Sequence, residues 1–160
     1  MNAPTNKFEI EVLSDTEVAM QRTLTGPREL VYRAYTEADL IPRWWGQRRT
    51  TTIVDTFEPR VGGRWRFIQR EEDGTEYAFR GEFLELDPPN KIVQTFEFEP
   101  MAGHVITDAL TLTEIEGGTL VRVVSTFQSS EDRDGMLRSG MEAGANETYD
   151  RLEELLATLV

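Results

Sequence analysis

From residue 50 onward, apolar and polar positions alternate in short runs that stop at turn residues. The runs near 50–58, 63–71, 76–87, 91–99, 105–116 and 119–128 are rich in Val, Ile, Thr, Phe and Tyr, and read as strands. Asp73-Gly74, within Glu72 to Thr75, is a strong hairpin signal, and Glu116-Gly117-Gly118-Thr119 is another. Pro59 to Gly63, Pro88-Pro89-Asn90 and Pro100 to Gly103 supply the remaining breaks. Turns this short predict antiparallel pairing of successive strands.

The alternation also assigns faces. Trp65 and Phe67 oppose Arg64, Arg66 and Arg70, while Tyr77, Phe79 and Phe83 oppose Glu76, Arg80 and Glu82. Leu84 and Leu86 then take the other parity, which predicts a β-bulge or sharp bend near Gly81 to Leu84. Ile92, Phe96 and Phe98 continue the aromatic side against Val93, Thr95, Glu97 and Glu99. One face of the sheet is therefore aromatic and the other charged, the pattern of an antiparallel sheet wet on one side.

Upstream, Thr16 to Thr25 reads as a strand with Val18, Met20 and Leu24 alternating. Gly26-Pro27 ends it, and Leu30, Val31, Ala34 and Tyr35 follow at helical spacing. A second short helix is predicted over Glu37 to Ile41, limited by Pro42. Lys7 to Leu13 alternates cleanly and predicts an extra strand, or an arm onto a partner chain in a homodimer. Downstream, Leu137, Met141, Ala145, Thr148, Leu152, Leu155, Leu156 and Leu159 recur at threes and fours, the stripe of one long C-terminal helix. Ser129 stands as its N-cap, and Gly135, Gly140 and Gly144 interrupt it. The predicted architecture is α+β: a curved antiparallel sheet of about seven strands, two short helices after the first, and a long helix covering the aromatic face.

Composition narrows the chemistry. The 160 residues fit a single domain, residues 1–160, with a core large enough to need no staple. There is no cysteine, which excludes disulfides and thiolate chemistry, and the one histidine, His104, cannot form a multi-histidine metal site. No metal and no cofactor are therefore expected. A net charge of −12 argues against nucleic acid as a partner. No stretch reaches membrane-span length and the N-terminus has no signal-like apolar region, so a cytoplasmic protein is the default expectation. Charge is uneven: Arg43, Arg48, Arg49, Arg60, Arg64, Arg66 and Arg70 face only Asp55 and Glu58 in the same segment. That is either a basic patch for an anionic partner or the solvent side of ordinary strands.

Several segments together resemble a known superfamily. Gly26-Pro27-Arg28-Glu29-Leu30-Val31-Tyr32-Arg33-Ala34-Tyr35-Thr36, then Arg43-Trp44-Trp45-Gly46, is similar to the opening of the START-like (SRPBCC, helix-grip, Bet v 1-like) superfamily. Val61-Gly62-Gly63-Arg64-Trp65-Arg66-Phe67, Asp73 to Tyr77, Ser139 to Ala145 and Asp150-Arg151-Leu152 resemble the branch named after the C-terminal domain of activators of the 90-kilodalton heat-shock-protein ATPase. Activators of that chaperone carry a further N-terminal domain for which these 160 residues leave no room, so the branch name is not read as an activity. The branch often holds tryptophan where this chain has Ala145. The resemblance implies a helix–sheet cavity for a small, largely apolar organic molecule such as a lipid or polyketide.

On that basis Trp44, Trp45, Trp65, Phe67, Tyr77, Phe79, Phe83, Phe96, Phe98, Met141, Ala145 and Thr148 are the expected ligand-binding residues, although an aromatic core face would carry the same pattern. A cyclase-, aromatase- or hydrolase-like enzyme is the alternative, with Asp108, Tyr77 or Tyr149 as acid or base. A chaperone-linked interaction module using the Arg43–Arg70 surface is a third. Asp108 shares the parity of Ile106, Leu110 and Leu112; it is either a buried acid or a strand end facing water, and its place near the strand start favours water. His104 is expected as an exposed loop residue.

Overall fold

The computed structural model describes residues 8–159. Eight strands form one antiparallel sheet in the order β1-β2-β8-β7-β6-β5-β4-β3. They are β1 (Glu9–Val12), β2 (Glu17–Leu24), β3 (Thr51–Phe57), β4 (Arg64–Arg70), β5 (Glu76–Asp87), β6 (Lys91–Phe98), β7 (Ile106–Ile115) and β8 (Gly118–Thr126). The meander from β3 to β8 follows chain order because each connection is short. The β1–β2 hairpin instead closes onto the last strand, with Leu24 opposite Thr119 and Val18 opposite Ser125. Helix α1 (Arg28–Thr36) lies in the crossing from β2 to the far edge at β3. Of the expected N-terminal strand, Glu9–Val12 forms the edge strand β1, while Lys7 lies outside the described residues.

The change of parity in β5 is a bulge: Phe83 pairs with Gln94 and Glu85 with Val93, leaving Leu84 extra. A second bulge between Val54 and Thr56 has no such signature in the alternation. Gly81 serves the bend directly. A side chain there would drive into the Thr95 carbonyl and the Trp65 indole, so only glycine lets the sheet fold this closely.

Two expectations are corrected. The short helix predicted over Glu37 to Ile41 is a turn followed by a 3-10 segment at Ile41–Arg43, with Pro42 in its first turn, where a missing N–H costs nothing. The single C-terminal helix is two helices, α2 (Ser130–Arg138) and α3 (Met141–Leu159). Gly140 adopts φ +80° between them, the left-handed conformation that ends a helix, and the 3.1 Å Ser139 N–H to Met136 carbonyl bond tightens the last turn of α2. Ser129 caps α2 as expected, its Oγ accepting from the Asp132 N–H at 3.1 Å.

The core lies between α3, α1 and the concave face of the sheet. Leu24, Val31, Ala34, Ile41, Val121, Leu152 and Leu156 are essentially inaccessible to water. No helix among the described residues is long and apolar enough to cross a membrane.

Candidate functional site between the last helix and the sheet

Trp44 and Trp45 play different parts. Trp44 is buried, donates its indole N–H to the Ala34 carbonyl at 2.9 Å, and packs edge-on against Tyr35 at 4.7 Å. It fastens the 3-10 turn to α1. Trp45 is half-buried and sits in the middle of an aromatic wall, with ring centroids 5.1 Å from Phe67, 5.3 Å from Phe79 and 6.4 Å from Trp65. The loop that presents it is held from both sides. Arg151 of α3 donates to the Gly46 carbonyl at 2.8 Å and to the Arg43 carbonyl at 3.2 Å, and the Thr52 hydroxyl of β3 donates to the Trp45 carbonyl. Thr148 is also occupied with backbone, lying 3.2 Å from the Gly46 carbonyl and 3.0 Å from that of Gly144.

The wall continues across the sheet. Phe96 packs 5.9 Å from Trp65 and 5.5 Å from Phe79, and Phe98 packs 5.0 Å from Phe79. Trp65, Phe67 and Phe83 are fully buried, whereas Phe79, Phe96, Phe98 and Trp45 keep accessible surface. Met141 and Ala145, on the first half of α3, are half-buried as well. Gly144 beside them lies against the Gln47 side chain.

Next to this wall the concave face turns polar. Gln94 of β6 opposes Asp108 of β7, which opposes Ser125 of β8. The Ser125 hydroxyl donates to Asp108 Oδ1 at 2.6 Å. Burial pushes the Asp108 carboxyl up to about 6, with the Ser125 bond acting in the other direction. Asp108 is nonetheless only half-buried, so both expectations for it hold in part: protein surrounds the carboxyl, and water still reaches the residue.

Three further side chains converge there. Tyr35 at the end of α1 shares a hydrogen bond with the hydroxyl of Tyr149 on α3. Burial pushes the Tyr149 phenol up to about 12; the Tyr35 bond and the positive Arg22 oppose that rise, and Asp108 adds to it. The Tyr35 phenol is also raised well above its usual value, first by burial and then by Tyr149 and Asp108. Arg22 of β2 is buried, with Nη1 2.7 Å from Asp150 Oδ1 and 3.1 Å from the Asn146 carbonyl.

Of the three expected acid–base candidates, Asp108 and Tyr149 belong to this cluster. Tyr77 does not: it is exposed at the far end of β5, with its ring 6.1 Å from Phe98. Tyr35, Arg22 and Ser125 were not anticipated. Arg22 and Ser125 were readable, since each shares the parity of an apolar strand face. Tyr35 carried no signal beyond its place on the apolar stripe of α1.

The remaining candidates fall elsewhere. His104 is exposed, with Nδ1 2.9 Å from Asp132 Oδ1 at the start of α2. Of the arginine-rich segment, Arg64, Arg66 and Arg70 alternate with the buried Trp65 and Phe67 along β4, and most of its members stand in ion pairs. Arg66 holds Glu99 at 2.7 Å and Asp55 at 3.3 Å, Arg70 holds Glu76, and Arg48 and Arg49 hold Glu154 and Glu71. Two surface depressions, of about 370 and 500 Å³, are lined by Arg66, Glu76 and Glu99, and by Tyr32, Val61 and Leu86; both lie outside the α3–sheet interface. Among the described residues no group of three or more His, Cys, Asp or Glu side chains is placed to hold a metal ion.

Comparison with known proteins places this arrangement. The family described as Activator of Hsp90 ATPase homolog 1-like protein matches residues 25–157. A crystal structure from Rhodobacter sphaeroides is 25% identical with a TM-score of 0.89, covering 95% of this chain and 99% of its own. Protein Ms6760 from Mycobacterium smegmatis is 24% identical with a TM-score of 0.82, covering 92% and 95%. A solution structure from Arthrobacter aurescens is 22% identical with a TM-score of 0.84, covering 95% and 91%. No curated protein matches the sequence.

Proposed function

The chain belongs to the Activator of Hsp90 ATPase homolog 1-like family, and from that premise we propose that it binds a small, largely apolar organic molecule between α3 and the concave face of the sheet. One observation carries this reading. Apolar and aromatic side chains that point inward at this end, namely Trp45, Phe79, Phe96, Phe98, Met141 and Ala145, stay half-buried, while those at the other end are sealed. Apolar surface turned inward and left accessible is surface that a ligand would remove from water, a gain of about 25 cal/mol per Å². The neighbouring Asp108, Ser125 and Tyr35–Tyr149 groups give the ligand a polar end to be oriented by.

Titration with an anilinonaphthalene dye and with a medium-chain fatty acid tests the reading, followed by tryptophan fluorescence, because Trp45 lies in the wall. One equivalent bound with quenching is expected; no binding of either probe overturns the proposal. The family description also names a chaperone ATPase. The arginine surface that would serve such a partner is largely neutralised by its own acids, which favours the ligand reading.

A further inference from the structure

The larger surface depression, of about 500 Å³, lies between α1, the β3–β4 loop and the end of β5, and its size is that of a small-molecule site. Tyr32 and Thr36 of α1, Pro59, Arg60 and Val61 of the loop, and Leu86 and Pro88 line it. Backbone bonds fix its walls. The Gly63 N–H donates to the Arg60 carbonyl at 2.7 Å and closes a turn in which Gly62 takes φ +82°. The same loop is tied twice to β5: the Gly62 N–H donates to the Phe83 carbonyl at 2.8 Å, and the Phe83 N–H to the Gly63 carbonyl at 2.9 Å. Beyond β5, the Asn90 N–H donates to the Asp87 carbonyl at 2.7 Å, and Arg28 Nη1 of α1 donates to Asn90 Oδ1 at 2.6 Å. A shape held in this way exists before a ligand arrives, so binding has little chain to order.

The lining is apolar with a single charge. Val61, at the tip of the turn, is 65% exposed, the most open of the large hydrophobic residues described. Tyr32 is nearly buried, Leu86 is half-buried, and the two prolines have no N–H to offer. The Thr36 hydroxyl is spent on the Tyr32 carbonyl at 2.8 Å. Among the described residues that line the depression, Arg60 alone carries a charge. Its acid neighbour Glu58 lies 3.5 Å away, and Glu58 Oε1 already accepts the Arg64 N–H at 3.0 Å. Both side chains are exposed, so that pair contributes little, and the guanidinium keeps donors to offer. The other flanking acid, Asp87, adjoins Pro88 and lies 3.5 Å from Asn90, which puts the site for a negative group at the Arg60 end.

We propose that this depression binds a small carboxylate carrying an apolar ring, with the ring against Val61, Leu86 and Tyr32 and the carboxylate on Arg60. The site is separate from the α3–sheet interface and does not depend on the binding reading above.

Titration of the isotope-labelled chain with cyclohexanecarboxylate, its amide and cyclohexylmethylamine, followed by two-dimensional NMR, tests the inference. The three probes share a ring and differ in charge. Saturable shifts are expected at the Val61 and Leu86 methyl groups and the Tyr32 ring. The carboxylate should bind roughly 3- to 5-fold more tightly than the amide, with the ammonium weakest. Arg60→Gln should abolish that preference while the ring still shifts the same methyl groups. Glu58→Gln keeps an acceptor for the Arg64 N–H and releases the guanidinium, so the carboxylate should bind more tightly. Added salt should weaken the carboxylate and leave the amide unchanged. Equal affinity for carboxylate and amide, a preference that survives Arg60→Gln, or no saturable shift with any probe overturns the inference. Shifts of the same groups on simple dilution would assign the depression to a second copy of the chain and overturn it too. Shifts confined to Trp45, Met141 and Ala145 would also overturn it, while supporting the binding reading.

Discussion

The two halves of α3 meet the same sheet in different ways. In the second half, Leu152, Leu155 and Leu156 are sealed from water and join one core with Leu24, Val31 and Val121. In the first half, Met141, Ala145 and Thr148 are only half-buried, and so are the strand residues of that end, including Met20, Phe96, Ile106 and Asp108. The stripe on the helix is continuous, so periodicity does not distinguish the halves. Side-chain size does. Leucines pack the helix–sheet interface at one end, whereas the small Gly144 and Ala145 stand at the other, where they stay half-buried. One end supplies stability and the other supplies accessible surface.

The largest effect is expected where the interface is sealed. Leu152→Ala should cost about 2–5 kcal/mol, since removing buried methyl groups loses their transfer free energy and leaves a cavity. Met141→Ala, on the half-buried side, should cost well under half as much. Urea titration of both variants measures the contrast, and equal losses would mean that the two ends are packed alike.

Asp108 sharpens the comparison through pH. Its folded-state pKa is raised from 3.8 to about 6, so the protonated form is the one favoured by folding. The associated stability is present below the unfolded value and is lost as pH rises from about 4 through about 6. A shift of this size corresponds to at most about 3 kcal/mol, and to less for a half-buried group. Asp108→Asn should therefore melt higher than the parent at pH 8 and converge with it at pH 4. A constant difference across that window would contradict the assigned environment.

Ala145→Trp addresses the open end itself. If the space is retained for a ligand, tryptophan fills it: the melting temperature stays equal or rises, and dye binding is lost. If helix and sheet are already in contact there, the change overpacks the core and costs about 1–3 kcal/mol. Destabilisation by that amount, together with a parent that binds no dye, would remove the distinction between the two ends.

The smallest effect belongs to the exposed ion pairs. Arg70→Ala breaks an exposed pair with Glu76 and should change stability by about 0.5 kcal/mol or less at physiological salt. Thermal melts at low and high salt would expose a larger role.

The sequence by itself determined the antiparallel meander, the aromatic concave face and the bend in β5. These follow from local rules: the two-residue period of a strand, the turns favoured by Asp-Gly and Gly-Gly, and the parity switch at Leu84. It also marked the Ser129 cap and the inward stripe of the last helix. It read that stripe as one helix with three glycines in it, and only the backbone conformation shows that Gly140, with positive φ, divides it into two. The polar cluster was the work of tertiary structure. Tyr35, Asp108 and Tyr149 are far apart in the chain, and each looks ordinary within its own element. They meet because α1 and α3 pack over the same strands, and burial there, a property of the surroundings rather than of the residue, is what shifts their proton affinities.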